Sequence, residues 1–159
     1  MPVISIETYI RAPISLCFDL ARNVDIHTKT TFKTKEHAVG GVINGLLEPG
    51  DTVTWQAVHF GIKQKLTAKV TEMNRPFDFT DIQVKGAFQS FTHLHQFSSK
   101  DEGTVMIDRF EYKAPFGFFG MLADWLFLRR YMHRFLTQRA WQLKRIAEDK
   151  AYGDYEVWE

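Results

Sequence analysis

Polar and apolar residues alternate from Val3 to Ile10, with Ile4, Ile6, Thr8 and Ile10 on one side and Val3, Ser5, Glu7 and Tyr9 on the other. A period of two in a run rich in β-branched residues predicts a strand. The period then changes. Pro13 suits the first turn of a helix, and Ile14, Cys17, Phe18 and Ala21 make a short apolar face. Asn23 is placed to cap a second short helical turn through Ile26. Residues 28–35 are polar and basic and read as a solvated connection. Gly40, Gly41, Gly45 and Gly50 then flank Val42, Ile43, Leu46 and Leu47. That density of glycine allows two readings, a lid over a pocket or a bulged strand followed by a turn at Glu48-Pro49-Gly50-Asp51.

From Thr52 strand follows strand. Thr52–His59 and 62–71 flank Phe60-Gly61, a hairpin signal. In the second run Ile62, Gln64, Leu66, Ala68 and Val70 alternate with Lys63, Lys65, Thr67, Lys69 and Thr71, so one face is apolar and the other wet. Breaks at Asn74-Arg75-Pro76, Lys85-Gly86 and 100–103 separate further strands at 77–84, 87–97 and 104–112. The last stretch, 115–150, has a helical period. Phe118, Leu122, Trp125, Met132, Leu136, Ala140, Leu143 and Ala147 form one stripe, and about 30 residues at ~1.5 Å each reach roughly 45 Å.

This order predicts an α+β fold with the last helix packed on one sheet face, in one domain spanning 1–159. Two short helices follow strand one, and a curved antiparallel sheet wraps a long C-terminal helix that cannot fill the whole concavity. The aromatic share is 14%, with 14 Phe, enough to fill a core and also to line a pocket for an apolar or ring-shaped ligand. A net charge of +1 argues against a dedicated nucleic-acid binder. Cys17 is the only cysteine, which excludes an intrachain disulfide and a multi-cysteine metal site and reads as an inert buried thiol. The N-terminal residues lack the pattern of a signal peptide, and no apolar run approaches ~18 residues, so a cytoplasmic protein is the expectation.

Several phrases carry a resemblance: Ala12-Pro13, Gly50-Asp51-Thr52-Val53-Thr54-Trp55, Arg75-Pro76-Phe77, and the run from Gly86 to Pro115. With the element order, they make nearly the whole chain similar to the START-like, birch-pollen-allergen-like superfamily, also called SRPBCC or polyketide cyclase/dehydrase-like, which implies its helix-grip fold. The run 86–115 is similar to stretches in uncharacterised bacterial members. Members of that superfamily include lipid and hormone binders, plant small-molecule carriers, aromatic cyclases, quinone-binding proteins and chaperone cofactors. The resemblance therefore implies a hydrophobic pocket more than a reaction.

His93 and His95 fall with Phe91 and Phe97 on one face of a strand, and the next strand offers Met106, Asp108, Phe110 and Tyr112. Two imidazoles and a carboxylate suit general acid–base work on a ketone or phenol-like ligand. The same trio fits a two-histidine, one-carboxylate metal site, or histidines that hydrogen-bond Asp108 or Tyr112 and specify the core. No cofactor or metal is assigned. A bulge at Gly103 would turn Asp108 away, whereas the preference of Arg109 and Glu111 for water turns it inward. Arg129 falls inside the helical stripe and either snorkels past its edge, lies at a helix break, or points into the cavity beside a carboxylate. His27 and His133 show no partner and are expected at the surface.

The reading that follows is a binder of a small hydrophobic or aromatic ligand, lipid-, polyketide- or quinone-like. Trp55, Phe91, Phe97, Phe110, Tyr112, Trp125 and Met132 would line its cavity, and His93, His95 and Arg129 would orient the ligand. The alternative is an aromatase/cyclase- or dehydratase-type enzyme in which His93 or His95 takes a proton while Asp108 or Tyr112 steadies it. A third reading uses the opposite helix face, Phe127, Arg130, Arg134, Trp141 and Arg145, for peripheral contact with an anionic membrane or a partner protein, against a homodimer contact or packing on Tyr152, Tyr155 and Trp158.

Overall fold

The computed structural model describes residues 1–153. Strand β1, Val3–Ile10, buries Ile4, Ile6 and Ile10, as its alternation requires. Helix α1, Ile14–Ala21, seats Cys17 and Phe18 in the core, and α2, Val24–Thr30, starts where the Asn23 side chain accepts a hydrogen bond from the Ile26 N–H. The connection after α2 is solvated at Lys29, Phe32, Lys33 and Lys35 but anchored in its middle. Thr30 and Thr31 are buried, their hydroxyls donate to the His27 carbonyl, and a 3₁₀ turn at Phe32–Thr34 leads into β2, His37–Gly41.

The glycine-rich segment is a bulged strand followed by a tethered loop rather than a lid. The β2 register shifts between Ala38 and Gly40. Beyond it, the Val24 N–H donates to the Gly45 carbonyl, and the Leu47 N–H to the Arg22 carbonyl, each at 2.9 Å. Buried Arg22 reaches Asp19 and Glu48 from the same junction.

The sheet continues through β3 (Thr52–His59), β4 (Ile62–Asn74), β5 (Asp78–Lys85), β6 (Ser90–Lys100) and β7 (Gly103–Lys113). Its seven strands are antiparallel in the order β1-β7-β6-β5-β4-β3-β2. Phe60 and Gly61 both take positive φ, which a two-residue hairpin with native twist requires. Register shifts near Thr67/Ala68 and Val70/Glu72 mark bulges between β4 and β5, the device that bends a sheet.

The C-terminal helical stretch departs from the expected single stripe. Helix α3, Gly117–Ala123, runs into a π-helical turn at Asp124–Leu128 and then into α4, Arg129–Gly153. Met132, Leu136, Ala140, Leu143 and Ala147 are buried as the pattern demands. Upstream of Met132 the inward line is Leu128, Asp124 and Gly120, a step of four, and Trp125, Leu122 and Phe118 face out. The wider π turn rotates the phase of everything before it. Packing holds that phase, because a Cβ on Gly120 would lie 1.7 Å from the Pro115 carbonyl oxygen, and Asp124 is buried against the Tyr112 hydroxyl.

At its far end α4 is tied to β1, where Lys144 donates to the Tyr9 carbonyl and Glu148 accepts from the Arg11 N–H. His133, Arg130, Arg134, Trp141 and Arg145 lie on or near the outer face, with the Arg145 guanidinium over the Trp141 ring at 5.0 Å. Tyr152 lies under Arg11 instead, while Tyr155 and Trp158 fall outside the described residues. If α4 packs through its later half, Leu143→Ala should lose about 2–5 kcal/mol of unfolding free energy in urea. Phe118→Ala should stay within ~0.5 kcal/mol, and equal losses would contradict the phase described here.

Candidate functional site

Between the concave sheet face and the first half of α4 lies a cavity of about 300 Å³. Alternation on β3 delivers Val53, Trp55, Ala57 and His59 to it, and alternation on β4 delivers Gln64, Leu66, Ala68 and Val70. Strands β6 and β7 add Phe91, His93 and Phe110, and α4 adds Met132 and Leu136. Trp55, Phe91, Phe110 and Met132 thus stand where their strands and helix predict. Four other expected lining residues do not. Phe97 is locked in the core between Phe18 and Phe79. The Tyr112 hydroxyl donates to Asp124 behind the wall, and burial and that bond push its phenol pKa up. Trp125 is 73% exposed. Arg129 lies outside the cavity and forms an ion pair with Asp124 at 2.8 Å.

The β6–β7 register opposes His95 to Asp108 and His93 to Phe110, so Asp108 faces inward with the histidines. A second carboxylate joins them from β5. His95 Nε2 donates to Asp81 Oδ2 at 2.9 Å, and its Nδ1 lies 2.8 Å from Asp108 Oδ1. Burial alone would drive the His95 pKa down, but the two carboxylates overcome it and raise it. With a carboxylate at each ring nitrogen, the surroundings favour the imidazolium form of His95. Asp108 and Asp81 are correspondingly held below the usual carboxylate range, against a burial effect of opposite sign.

His93 is different. Burial and the adjacent positive charge of His95, 3.8 Å away between ring centres, lower its pKa to about 4. Its Nε2 sits 3.2 Å from Asp108 Oδ1 but out of line for a hydrogen bond, leaving a buried nitrogen without a partner on a residue of the cavity wall. Asp81, His93 and His95 bring ligating atoms within 4.8 Å of one another. A metal ion there would have to displace the hydrogen bond between His95 Nε2 and Asp81 Oδ2.

The remaining polar wall was not legible as a site. His27 is not at the surface. Its ring stacks on Trp55 at 4.0 Å, and its Nε2 lies 2.7 Å from Glu36 Oε1. Burial, then the charge of Arg139, keeps His27 neutral, while Glu36 stays ionised. His59 bonds the Tyr131 hydroxyl, and burial lowers its pKa. Arg139 lines the cavity with no ion-pair partner among the described residues. Two of these residues had a signal. Asp81 alternates with Phe79, and Arg139 continues the four-residue row of Tyr131 and Phe135.

The signs of these shifts fix a pH dependence. The lowered pKa of His93 removes stability as pH falls from about 6.5 toward 4, since the unfolded chain takes up a proton that the native state refuses. The lowered Asp81 and Asp108 pKa values remove more below the normal carboxylate range. The raised His95 pKa contributes stability below its unfolded value that is lost as pH rises through the native one. Nitrogen-15 NMR of the imidazoles at neutral pH should show His95 doubly protonated and His93 neutral. Asp108→Asn should lower the His95 titration point, and a neutral His95 in the unaltered protein would contradict the cluster.

No family model matches the chain, and no curated protein matches it. Solved structures do. Protein TTHA0849 from Thermus thermophilus is 19% identical, with a TM-score of 0.75 over 91% of this chain and 95% of that one. Protein Ms6760 from Mycobacterium smegmatis is 17% identical, with a TM-score of 0.68 over 91% and 89%. The ginseng major latex-like protein 151 from Panax ginseng is 12% identical, with a TM-score of 0.68 over 92% and 97%. At these identities the likeness concerns architecture. The chain has the START-like, birch-pollen-allergen-like helix-grip fold.

Proposed function

We propose that the protein binds a small hydrophobic or aromatic ligand, lipid-, polyketide- or quinone-like, in the cavity between sheet and α4. The observation that carries this reading is the cavity itself, about 300 Å³ walled by Trp55, Phe91, Phe110 and Met132. That volume is at the small end of the range for small-molecule sites, and a few convergent polar groups on apolar walls are their usual form. The superfamily resemblance implies the same kind of pocket.

The electrostatics favour a neutral ligand. Glu36, Asp81 and Asp108 are opposed by Arg139, Lys65 and a His95 favoured as imidazolium, Arg22 is paired with Asp19 and Glu48, and burial keeps His27, His59 and His93 toward their neutral forms, so no positive charge is in excess. A carbonyl or hydroxyl oxygen near His93 and Arg139 is the head group this wall suits. The enzyme reading is weaker, because a base with a pKa of about 4 has little drive to take a proton near neutral pH. His93 serves better as an anchor than as a base, with His95, Asp81 and Asp108 holding it in place.

Native mass spectrometry of the freshly purified protein should find a retained small apolar mass. Fluorescence titration should show 2-naphthol binding at least about tenfold more tightly than 2-naphthoate, since burying an unpaired carboxylate is far costlier than burying a hydroxyl. Ala57→Trp, which fills the cavity from β3, should stay folded by circular dichroism and lose naphthol binding. Tighter binding of naphthoate would overturn the neutral-ligand assignment, and unchanged binding by Ala57→Trp would overturn the cavity as the site.

A further inference from the structure

The segment that the π turn rotates outward is unlike the rest of the surface. Phe116, Phe118, Phe119, Met121, Trp125 and Leu126 are all more than half exposed. Within α3, Phe118, Phe119 and Met121 spread over ~160° at ~100° per residue, and Phe116 before the helix and Trp125 and Leu126 in the π turn extend this apolar surface past both its ends. Between Pro115 and Leu128 the single charged residue is Asp124, and its carboxylate is turned inward to Tyr112 and Arg129. A basic collar follows, in which exposed Arg129, Arg130, His133 and Arg134 border one surface depression.

We infer that this knob enters the surface of an anionic lipid bilayer, with the arginine collar at the phosphate level. The apolar residues define the partner. Bulky rings and aliphatic side chains this exposed, on a stretch whose only charge is turned inward and which is bordered by arginines, have the composition of a segment that lies in a bilayer interface. The collar supplies the charge complementarity, since arginine pairs with phosphate at the headgroups while Trp125 suits the interface. Among the described residues no helix is long and apolar enough to cross a membrane, so the contact is from one side.

The position of the knob links it to the cavity. Pro115 and Leu128, the two ends of the segment, both line the cavity, as does Phe60, whose ring meets Phe127 at 5.5 Å and Tyr131 at 4.4 Å. Docking through the knob therefore sets this rim of the cavity against the bilayer, the place from which an apolar ligand is taken or to which it is returned. This consequence rests on the cavity being a binding site; the docking itself does not.

The test is co-sedimentation of the full chain with phosphatidylcholine vesicles, with and without phosphatidylglycerol. Binding should require the anionic lipid. The double variant Phe118→Asp/Phe119→Asp, and separately Arg130→Glu/Arg134→Glu, should each weaken it about tenfold or more. Brominated acyl chains should quench tryptophan emission in the unaltered protein and much less in Trp125→Phe. Circular dichroism and naphthol binding of the knob variant should match those of the unaltered protein, so that lost docking is separable from a lost cavity. Failure of the unaltered protein to sediment, or sedimentation that the knob variant retains, would overturn the inference. So would a dimer that the knob variant dissolves in a protein that ignores vesicles, which would make the face an interface between copies.

Discussion

A straight rod laid in a bent sheet touches it along only part of its length, and the molecule is built on that misfit. Helix α4 is fastened to β1 at its far end, where Ala140, Leu143 and Ala147 are small or slender enough for close approach and Lys144 and Glu148 hold the first strand. Nearer its start it stands off from β3 and β4, whose bulges bend the sheet away. The gap is the cavity. Nothing in the packing needs the gap for stability, because buried apolar surface and dispersion favour closing it. Keeping it open is therefore the feature that asks for a ligand.

A second consequence of the same geometry is the polar cluster on the sheet wall. Strands β5, β6 and β7 each contribute one inward ionisable position or two, and adjacency in the sheet brings Asp81, His93, His95 and Asp108 together. Four such groups buried without mutual pairing would be strongly unfavourable. Sharing His95 between two carboxylates resolves most of that, and the cluster then leaves His93 as the member with an unfilled hydrogen-bonding position.

Much of this was legible from sequence because strand alternation is local. The facing of Trp55, His59, His93 and Asp108 follows from counting by two along β3, β6 and β7, once the Gly103 turn keeps its register. The phase of the C-terminal helix was not legible, because the π turn depends on contacts from elsewhere in the fold: Gly120 against Pro115, and Asp124 against Tyr112. That one turn displaced Trp125 from the cavity, Arg129 at the start of α4 is held off it by its ion pair with Asp124, and Arg139 faces inward by the ordinary period of α4, in row with Tyr131 and Phe135. Glu36 and His27 escaped for another reason. Their pairing depends on how a short turn after α2 folds under Trp55, a tertiary fact with no periodic signal.

The central claim is that the space between Trp55, Phe91 and Met132 accepts an apolar guest. Crystals pressurised with xenon, after any retained molecule has been extracted, test it directly, because xenon enters dry apolar cavities and scatters anomalously. The account expects a strong anomalous peak inside that triangle of side chains. A map with no peak there, and with side chains collapsed across the gap, would contradict it.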